Sequence, residues 1–386
     1  MARTIISGFY CNNYEPKKIA DIVDEIFKSL SVNSEIIQPN SKVLIKPNLL
    51  SAYTPDQAIT THPEIVRAVI KKVKSLKAVP VVGDSAGNML RGMEYVWEKT
   101  GMLQVAKEEN VELVNFETMG SVELAVEHPT IKNIYLTKAL INCDYIINLP
   151  KVKTHTFMGF SCGIKNFYGC VPGARKVEYH KLAPSPYDFA KLLVEIYRIV
   201  KDKLILTIAD GVCGLEGNGP SLSGLKRNFN MIVASRDTVT LDTFLLNLLG
   251  SKTDKKFIDM FKVKNLGNTD ISNIIYYGDN INSFNSKKVK FPSTWILRIL
   301  PSKFALFVGK VFGRLIWIKP KIDTKKCVGC LQCMKSCPVK AIYKKDNRIK
   351  PVVDKTKCIS CFCCHELCTH KAVKIEKSII AGMFVK

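Results

Sequence analysis

The sequence predicts an α/β domain with a mostly parallel sheet, followed by a smaller C-terminal α+β domain. Up to about residue 285, short β-branched runs alternate with helical stretches, which is the pattern of strands and crossover helices. The composition then changes, because nine cysteines occur between residues 327 and 368. We therefore predict an α/β domain over 1–285, an amphipathic linker over 286–320 and a cysteine-rich domain over 321–386.

Six short apolar segments of the first domain are each followed by turn residues and are predicted as strands: 43–46, 79–83, 111–115, 145–149, 204–209 and 230–234. Helices are predicted over 63–76 and 186–201, because each stretch begins with proline and then shows helical apolar spacing. In open parallel sheets, ligands bind beyond the carboxyl ends of the strands. Functional residues are therefore expected in the loops at that edge.

Eight cysteines form two runs with the spacing C-x2-C-x2-C-x3-C, which binds the clusters of bacterial two-cluster ferredoxins. In that arrangement, the fourth cysteine of each run binds the other cluster. We therefore predict two 4Fe-4S clusters in a ferredoxin-like domain. Their predicted ligand sets are Cys327, Cys330, Cys333 and Cys368 for one cluster, and Cys358, Cys361, Cys364 and Cys337 for the other.

A structural zinc site and a disulfide framework fit these cysteines less well. Structural zinc uses two separated pairs of ligands, and disulfides need an oxidising compartment. The first 20 residues lack the pattern of a signal peptide, so we expect a cytoplasmic protein, and the oxygen-sensitive clusters indicate an anaerobic setting. Cys363, the ninth cysteine, has no ligand role in this scheme and is predicted to be a packed thiol.

The charge balance indicates anionic partners. Lys and Arg number 57 against 34 Asp and Glu, a formal net charge of +23. An acidic redox partner protein, an anionic small molecule or an anionic lipid would each suit this charge. Nucleic acid is not expected, because the sequence has no zinc finger, helix-turn-helix or aromatic-interleaved basic motif.

The linker contains a basic amphipathic stretch over 304–317, with Lys303, Lys310 and Arg314 on one helical face. Two interpretations stay open at this point. The stretch could be a helix that packs on the α/β domain and carries the cysteine-rich domain. Alternatively, residues 295–318 could make peripheral contact with an anionic membrane. No apolar run approaches the ~20 residues that cross a bilayer.

Residues 148–180 are the densest polar segment outside the cysteines. Glycines that allow close approach to an anion alternate there with basic residues. The segment has neither the Walker order nor a G-x-G-x-x-G turn. We predict catalytic roles, in proton transfer or metal binding, for His155, Lys165 and His180. The predicted ligand-binding residues are Lys151, Lys153, Gly163, Asn166, Gly173 and, from a polar loop over 210–220, Glu216.

Several of these segments together resemble a known family. They are 46–49, 61–64, 83–85, 148–180 and 216–220, and they resemble the family catalogued as domain of unknown function 362, over about residues 40–250. Members of that family often carry a C-terminal two-cluster ferredoxin. The resemblance implies an iron–sulfur protein and leaves the substrate open.

A weaker resemblance is to the core of the nickel-pincer lactate racemases. It consists of His155, Lys165, the pair Pro172-Gly173 and His180. The resemblance implies that Lys165 holds the pincer nucleotide, that His180 binds nickel and that His155 is an acid/base residue. The second acid/base histidine of the racemases would fall near residues 83–85, where this chain has no histidine.

These observations favour an iron–sulfur redox enzyme that passes electrons between two 4Fe-4S clusters and an anionic ligand, or a further cofactor, on the α/β domain. Two alternatives stay open. One is a non-catalytic ferredoxin-type electron carrier or scaffold that docks a protein partner. The other is an isomerase related to the nickel-pincer racemases.

Overall fold

The structure is a computed structural model and describes residues 3–87, 92–251, 255–294, 317–345 and 349–384. Its first part contains thirteen strands among these residues: β1 (Thr4–Tyr10), β2 (Lys42–Pro47), β3 (Val79–Asp84), β4 (Glu112–Asn115), β5 (Ser121–Ala125), β6 (Asn133–Thr137), β7 (Tyr145–Leu149), β8 (Lys151–His155), β9 (Gly159–Ser161), β10 (Leu204–Gly217), β11 (Gly224–Arg227), β12 (Met231–Ser235) and β13 (Ile274–Gly278).

Most of these strands form one central sheet in the order β13-β1-β12-β10-β7-β2-β3-β4. The run from β10 through β7, β2 and β3 to β4 is parallel, whereas β12 is antiparallel to both β1 and β10. β8 pairs with β10 and β9, and β5 and β6 form a separate hairpin. A mostly parallel sheet confirms the predicted fold class of the first domain.

Nine α-helices of the described chain pack on this sheet: α1 (Pro16–Ser29), α2 (Pro63–Ser75), α3 (Gly92–Lys99), α4 (Met102–Glu108), α5 (Gly163–Asn166), α6 (Arg175–Leu182), α7 (Pro186–Val200), α8 (Thr238–Leu248) and α9 (Lys255–Val263). Proline opens α1, α2 and α7, and a side chain caps each: Glu15, His62 and Ser185 accept hydrogen bonds from the first-turn N–H groups.

Alternating strand residues build a core on each face of the sheet. Val43 and Ile45 of β2 belong to a buried cluster with α1 and α2, whereas Leu44 belongs to another with α7. The six predicted strands and the two predicted helices therefore match elements of the structure to within two residues at most ends. The main exception is the segment over 204–209, which forms only the first part of β10.

The prediction of a polar loop over 210–220 is wrong for most of these residues, because β10 continues to Gly217. The residues over 151–155, which belong to the polar segment over 148–180 and were not predicted as a strand, also form one. Gly214 explains both differences, since a Cβ atom there would lie 2.0 Å from the carbonyl oxygen of Val152. Only glycine permits this approach of β8 to β10.

The C-terminal domain contains four short strands and three short helices among its described residues: β14 (Ile318–Ile322), β15 (Ile342–Tyr343), β16 (Val352–Val353), β17 (Val373–Lys377), α10 (Gln332–Lys335), α11 (Cys363–Glu366) and α12 (Ile379–Phe384). β14 pairs with β17, and β15 pairs with β16. This small strand-and-helix region agrees with the predicted α+β ferredoxin-like domain.

The predicted amphipathic stretch over 304–317 and the predicted membrane contact over 295–318 lie almost wholly outside the described residues. Only Trp317 and Ile318 are described, and Ile318 begins β14. Within the ranges that the structure covers, no helix has both the length and the apolar character needed to span a bilayer.

Candidate functional site

A cavity of about 100 Å³ lies at the carboxyl ends of β2 and β3 and is covered by the C-terminal domain. This is the edge where a parallel sheet is expected to bind ligands. Asn48, just after β2, and Ser85, just after β3, contribute to its wall. The charged and imidazole side chains that line it are Asp84, Lys153, Lys165, Lys176, His180 and Glu366.

Lys165 lies on the short helix α5, whose position is fixed by buried polar contacts. The N–H groups of Gly163 and Ile164 donate to the carboxylate of Asp242 over 2.8 and 2.9 Å. Within the described part of the chain, the Lys165 ammonium has no hydrogen-bond acceptor and no carboxylate at ion-pair distance. Burial lowers its pKa, and the carboxylate of Glu366 opposes that effect. The cavity thus holds a cationic group that is available to a ligand.

Lys153 is held more firmly at the same cavity. Its ammonium donates to Asn48 Oδ1 over 2.6 Å and to the Ile59 carbonyl over 2.7 Å. Burial first, and then the charges of Lys165 and Lys151, hold the pKa of Lys153 well below its usual range. The electrostatic repulsion among these lysines would be relieved by a bound anion.

Asn166 belongs to an amide network behind this lysine. Its Oδ1 accepts from Asn48 Nδ2 over 3.0 Å, and its Nδ2 donates to Asn148 Oδ1 over 2.8 Å. Asn148 donates in turn to the Gly163 carbonyl over 3.0 Å. The network joins the ends of β2 and β7 to α5 and fixes the wall of the cavity.

A buried ion pair forms the floor. Lys46 Nζ lies 2.7 Å from Asp84 Oδ1, and the two side chains are 0% and 3% exposed. The other carboxylate oxygen of Asp84 accepts from Leu49 N over 2.7 Å. Gly169 packs against the pair, since a Cβ atom there would lie 2.4 Å from Asp84 Oδ1.

Lys176, on α6, closes one side of the cavity. Its ammonium donates to the hydroxyl and, over 3.2 Å, to the carbonyl of Ser85. Glu117 Oε1 lies 3.5 Å away. Burial lowers the pKa of Lys176, with the Glu117 carboxylate opposing that effect. Unlike Lys165, this lysine already has a carboxylate partner.

His180 presents a neutral imidazole to the cavity. Its ring stacks on Phe189, with centroids 4.5 Å apart and planes 5° from parallel. Burial and the nearby Lys165 charge lower its pKa to about 3. Its Nδ1 is buried and has no hydrogen-bond partner among the described residues. At neutral pH this side chain is therefore uncharged and can accept a hydrogen bond from a ligand, but it is neither a charged acid nor a strong base.

His155 does not line the cavity and lies behind it. Its Nδ1 accepts from the N–H groups of Phe157 and Met158 over 3.1 and 3.2 Å, so the proton of the neutral ring is assigned to Nε2. That Nε2 lies 3.4 Å from Glu366 Oε1. His155 thus contacts the C-terminal domain rather than the open cavity.

The C-terminal domain covers the cavity with α11. Ser221 Oγ donates to the Glu366 carbonyl over 2.7 Å, and His365 Nε2 lies 3.4 Å from the Asn218 carbonyl oxygen. Burial raises the pKa of the Glu366 carboxyl to about 7, against the opposing charges of Lys165 and Lys153. Cys363, from the same helix, also lines the cavity.

The cysteines gather in two groups. Cys327, Cys330, Cys333 and Cys368 surround one cavity of the C-terminal domain. Burial and then the neighbouring thiols of this group raise the pKa of Cys333 to about 11. In the other group, burial and then the thiols of Cys361, Cys358, Cys333 and Cys337 raise the pKa of Cys364. One predicted set of four thus lines a single cavity, and the assignment of both ligand sets stays a prediction.

The described residues include no group of three or more His, Cys, Asp or Glu that converges around one metal ion. A cubane cluster does not require such convergence, because its four thiolates bind different iron atoms. The two cysteine groups fit a cluster, which needs four sulfur ligands around a space larger than an ion.

Comparison with known proteins agrees with this two-part organisation. Residues 43–247, more than half of the chain, match the family described as Domain of unknown function (DUF362). The chain belongs to this family. Residues 319–369 match a 4Fe-4S dicluster domain. The chain is therefore an iron–sulfur protein whose DUF362 domain is followed by a dicluster domain.

A curated relative is the "Thylakoid-associated protein sll1697" of Synechocystis sp. (strain ATCC 27184 / PCC 6803 / Kazusa). It is 31% identical over 246 residues, which are 63% of this chain and 74% of the relative. Two solved structures match at a TM-score of 0.36: a Thermotoga maritima protein at 12% identity, and the lactate racemase apoprotein of Thermoanaerobacterium thermosaccharolyticum at 14%. The matches cover 52% and 59% of this chain, and 51% and 54% of those proteins.

Not all predicted site residues of the DUF362 domain meet at the cavity. Lys153, Lys165, Asn166 and His180 line it, whereas Lys151 is sealed in a buried pair with Asp210, 2.8 Å away. The structure places two predicted glycines outside the lining: Gly163 packs on Thr238, and Gly173 forms a turn at φ 60°.

Glu216, predicted to bind ligand, also lies outside the cavity lining. Its Oε2 is 2.9 Å from Arg227 Nη1 and accepts from Lys290 N over 3.1 Å. The carboxylate therefore joins β10 to β11 and to the segment after β13. Glu216 therefore has a structural role, in which it connects these elements.

Lys46, Asp84, Glu366 and Cys363 are among the residues at the cavity or its floor that were not predicted as site residues. Lys46 and Asp84 follow the same pattern of polar residues at strand ends, so this signal was present in the sequence. Glu366 and Cys363 had no such signal, because only the docking of two domains brings them to the DUF362 cavity.

Proposed function

We propose that this iron–sulfur protein is a redox enzyme that passes electrons, one at a time, between two 4Fe-4S clusters and a small anionic compound. The observation that carries the proposal is the lining of the cavity. Lys165 belongs to one wall, and Cys363, which lies between the predicted ligands Cys361 and Cys364, belongs to another. The anion site and the second cysteine run thus meet in one cavity of about 100 Å³.

The cysteine groups described above would hold the two clusters. When bound, such clusters take up and release single electrons, and the protein tunes their potentials. Their surroundings differ, since Cys330 is exposed whereas Cys361 and Cys364 are buried. We therefore assign exchange with the cavity compound to the buried side of the dicluster domain that carries Cys361 and Cys364.

Lys165 would bind the anionic group of the compound, which is a substrate or a further cofactor of the DUF362 domain. Among the lysines that line the cavity, Lys165 is the one whose ammonium has no carboxylate or carbonyl partner in the described chain. Lys153 and Lys176 add positive charge from positions that their own hydrogen bonds fix. A hydrogen bond to a charged partner contributes about 1.5–3 kcal/mol.

His180 would accept a hydrogen bond from the compound, since its neutral ring lines the cavity and its buried Nδ1 has no hydrogen-bond partner among the described residues. His155 is better assigned as a positioning residue, acting through Glu366 Oε1 at 3.4 Å. We further propose that the protein is cytoplasmic and works in an anaerobic setting, as expected from the sequence.

The test is anaerobic purification, followed by metal analysis and mass spectrometry of small molecules released from the wild-type, Lys165→Met and Lys107→Met proteins. Lys107 is an exposed lysine of α4 and serves as the matched control. We expect about eight irons per chain in all three, from two four-iron clusters. A released anion should disappear only in Lys165→Met.

Other outcomes would favour the alternatives. About eight irons without a released compound would favour an electron carrier or scaffold that docks a protein partner. Nickel lost together with the compound in Lys165→Met would favour an isomerase related to the nickel-pincer racemases.

A further inference from the structure

A second, open groove of about 610 Å³ lies between α6 of the DUF362 domain and the dicluster domain. Four cations line it: Arg175 and Lys181 from α6, and Lys335 and Lys340 from the dicluster domain. Glu178 is the one carboxylate among the described lining residues. The groove is therefore strongly basic, and it lies outside the cavity that we assign to the small anion.

These cations are available to a partner. Lys181, Lys335 and Lys340 are exposed. In the ranges that the structure covers, none of the four has a carboxylate within ion-pair distance. The Arg175 guanidinium stacks 3.5 Å from the centre of the Tyr135 ring, which keeps its charge at the groove. Unpaired cations that converge on one concavity create a field that attracts an acidic surface.

The groove also reaches the redox part of the molecule. Its lining includes Cys337 and Pro338, at the end of the first cysteine run. Cys337 is half-buried and is a predicted cluster ligand. A protein bound in the groove would therefore contact a segment that ligates iron.

We propose that this groove docks an acidic one-electron carrier protein. The groove is concave, and its lining includes Cys337. A convex acidic protein surface fits such a site better than a flat bilayer does. In the transfer, the reduced carrier loses one electron and one cluster of this chain gains it. The inference rests on the dicluster half of the proposed function and is independent of any compound in the cavity.

The test measures cluster reduction by stopped-flow absorbance, with a reduced, acidic plant-type 2Fe-2S ferredoxin as the probe. The test variant is Lys335→Glu/Lys340→Glu in the full-length holoprotein. The control, Lys17→Glu/Lys107→Glu, makes the same change of charge at exposed lysines of α1 and α4. Iron content and reduction by dithionite, which needs no docking, show that each variant keeps its clusters.

The wild-type rate should fall as salt rises from about 50 to about 300 mM, because the Debye length shortens. The Lys335→Glu/Lys340→Glu protein should react about tenfold more slowly at low salt, with a flatter salt dependence. The control should stay within about twofold of wild type. Reduction by dithionite should be the same in all three proteins.

Equal rates for the test and control variants would overturn the proposal, as would a wild-type rate that does not depend on salt. Binding to phosphatidylserine vesicles that only the test variant loses, with unchanged ferredoxin kinetics, would assign the groove to a membrane instead. Because the readout is cluster reduction, failure of the cavity proposal would leave these rates unchanged.

Discussion

Acidification is expected to destabilise the DUF362 domain through His180. Burial lowers the pKa of this side chain to about 3 in the folded protein, whereas an imidazole in an unfolded chain has a pKa of about 6.5. Between these values the unfolded state takes up a proton that the folded state does not. Stability from this group is therefore present above about pH 6.5 and is lost as the pH falls below it.

The magnitude follows from the pKa difference. Where the unfolded imidazole is fully protonated, each pH unit costs about 1.4 kcal/mol, and integration from about pH 7 to about pH 5 gives a cost of about 2 kcal/mol. The slope is about half of its full value at about pH 6.5, where the unfolded imidazole is half protonated, and is close to its full value at about pH 5.

The assay is urea unfolding of wild type, His180→Gln and His128→Gln at about pH 7 and about pH 5. Tryptophan fluorescence reports unfolding, and the iron content of each protein is checked at both pH values. Gln cannot titrate, so the loss of stability on acidification should be about 2 kcal/mol smaller in His180→Gln. The variant also loses the stacking on Phe189. That loss is the same at both pH values and cancels in the difference.

His128, a partly exposed histidine, controls for the removal of an imidazole as such. His128→Gln should show nearly the wild-type difference between the two pH values. If His180→Gln lost as much stability on acidification as wild type, the lowered pKa and the neutral imidazole assigned to His180 would be refuted.

Two further perturbations test the cavity floor and the cluster ligands. Lys46→Met should cost about 3–5 kcal/mol in urea unfolding, because Asp84 is left charged and buried. Adding Asp84→Leu should recover part of that loss, and a double variant as unstable as the sum of both single variants would contradict the ion pair. Cys361→Ser should lower the iron content from about eight to about four per chain, whereas Cys363→Ser should keep about eight. Equal iron in these two variants would refute the predicted ligand set.

The sequence predicted the fold well where elements carry local signals. The strand at Tyr145–Leu149 and the helices that begin at Pro63 and Pro186 have apolar periodicity and turn or cap residues at their ends. The extension of β10 to Gly217 could not be predicted in this way. Its glycines resemble those of a loop, and only the close approach of β8 shows why Gly214 is needed.

Part of the site was also predicted from local features of the sequence. Lys165 and His180 lie in one polar segment, and the two elements that carry them meet at the carboxyl edge of the sheet. Lys151 belongs to the same segment, but its ammonium lies 2.8 Å from the buried Asp210 carboxylate and does not line the cavity. Glu366 depends on how two domains dock, a long-range contact that residue spacing does not encode.

The central claim is that electrons pass between the dicluster domain and a compound held by Lys165. The most direct test is single-turnover reoxidation of dithionite-reduced protein by the compound released from wild type, followed by absorbance under anaerobic conditions. Wild type should reoxidise, and Lys165→Met, with the same iron content, should do so about tenfold or more slowly, since a charge-assisted contact contributes about 1.5–3 kcal/mol. Equal rates in the two proteins, or no reoxidation of wild type, would contradict the claim.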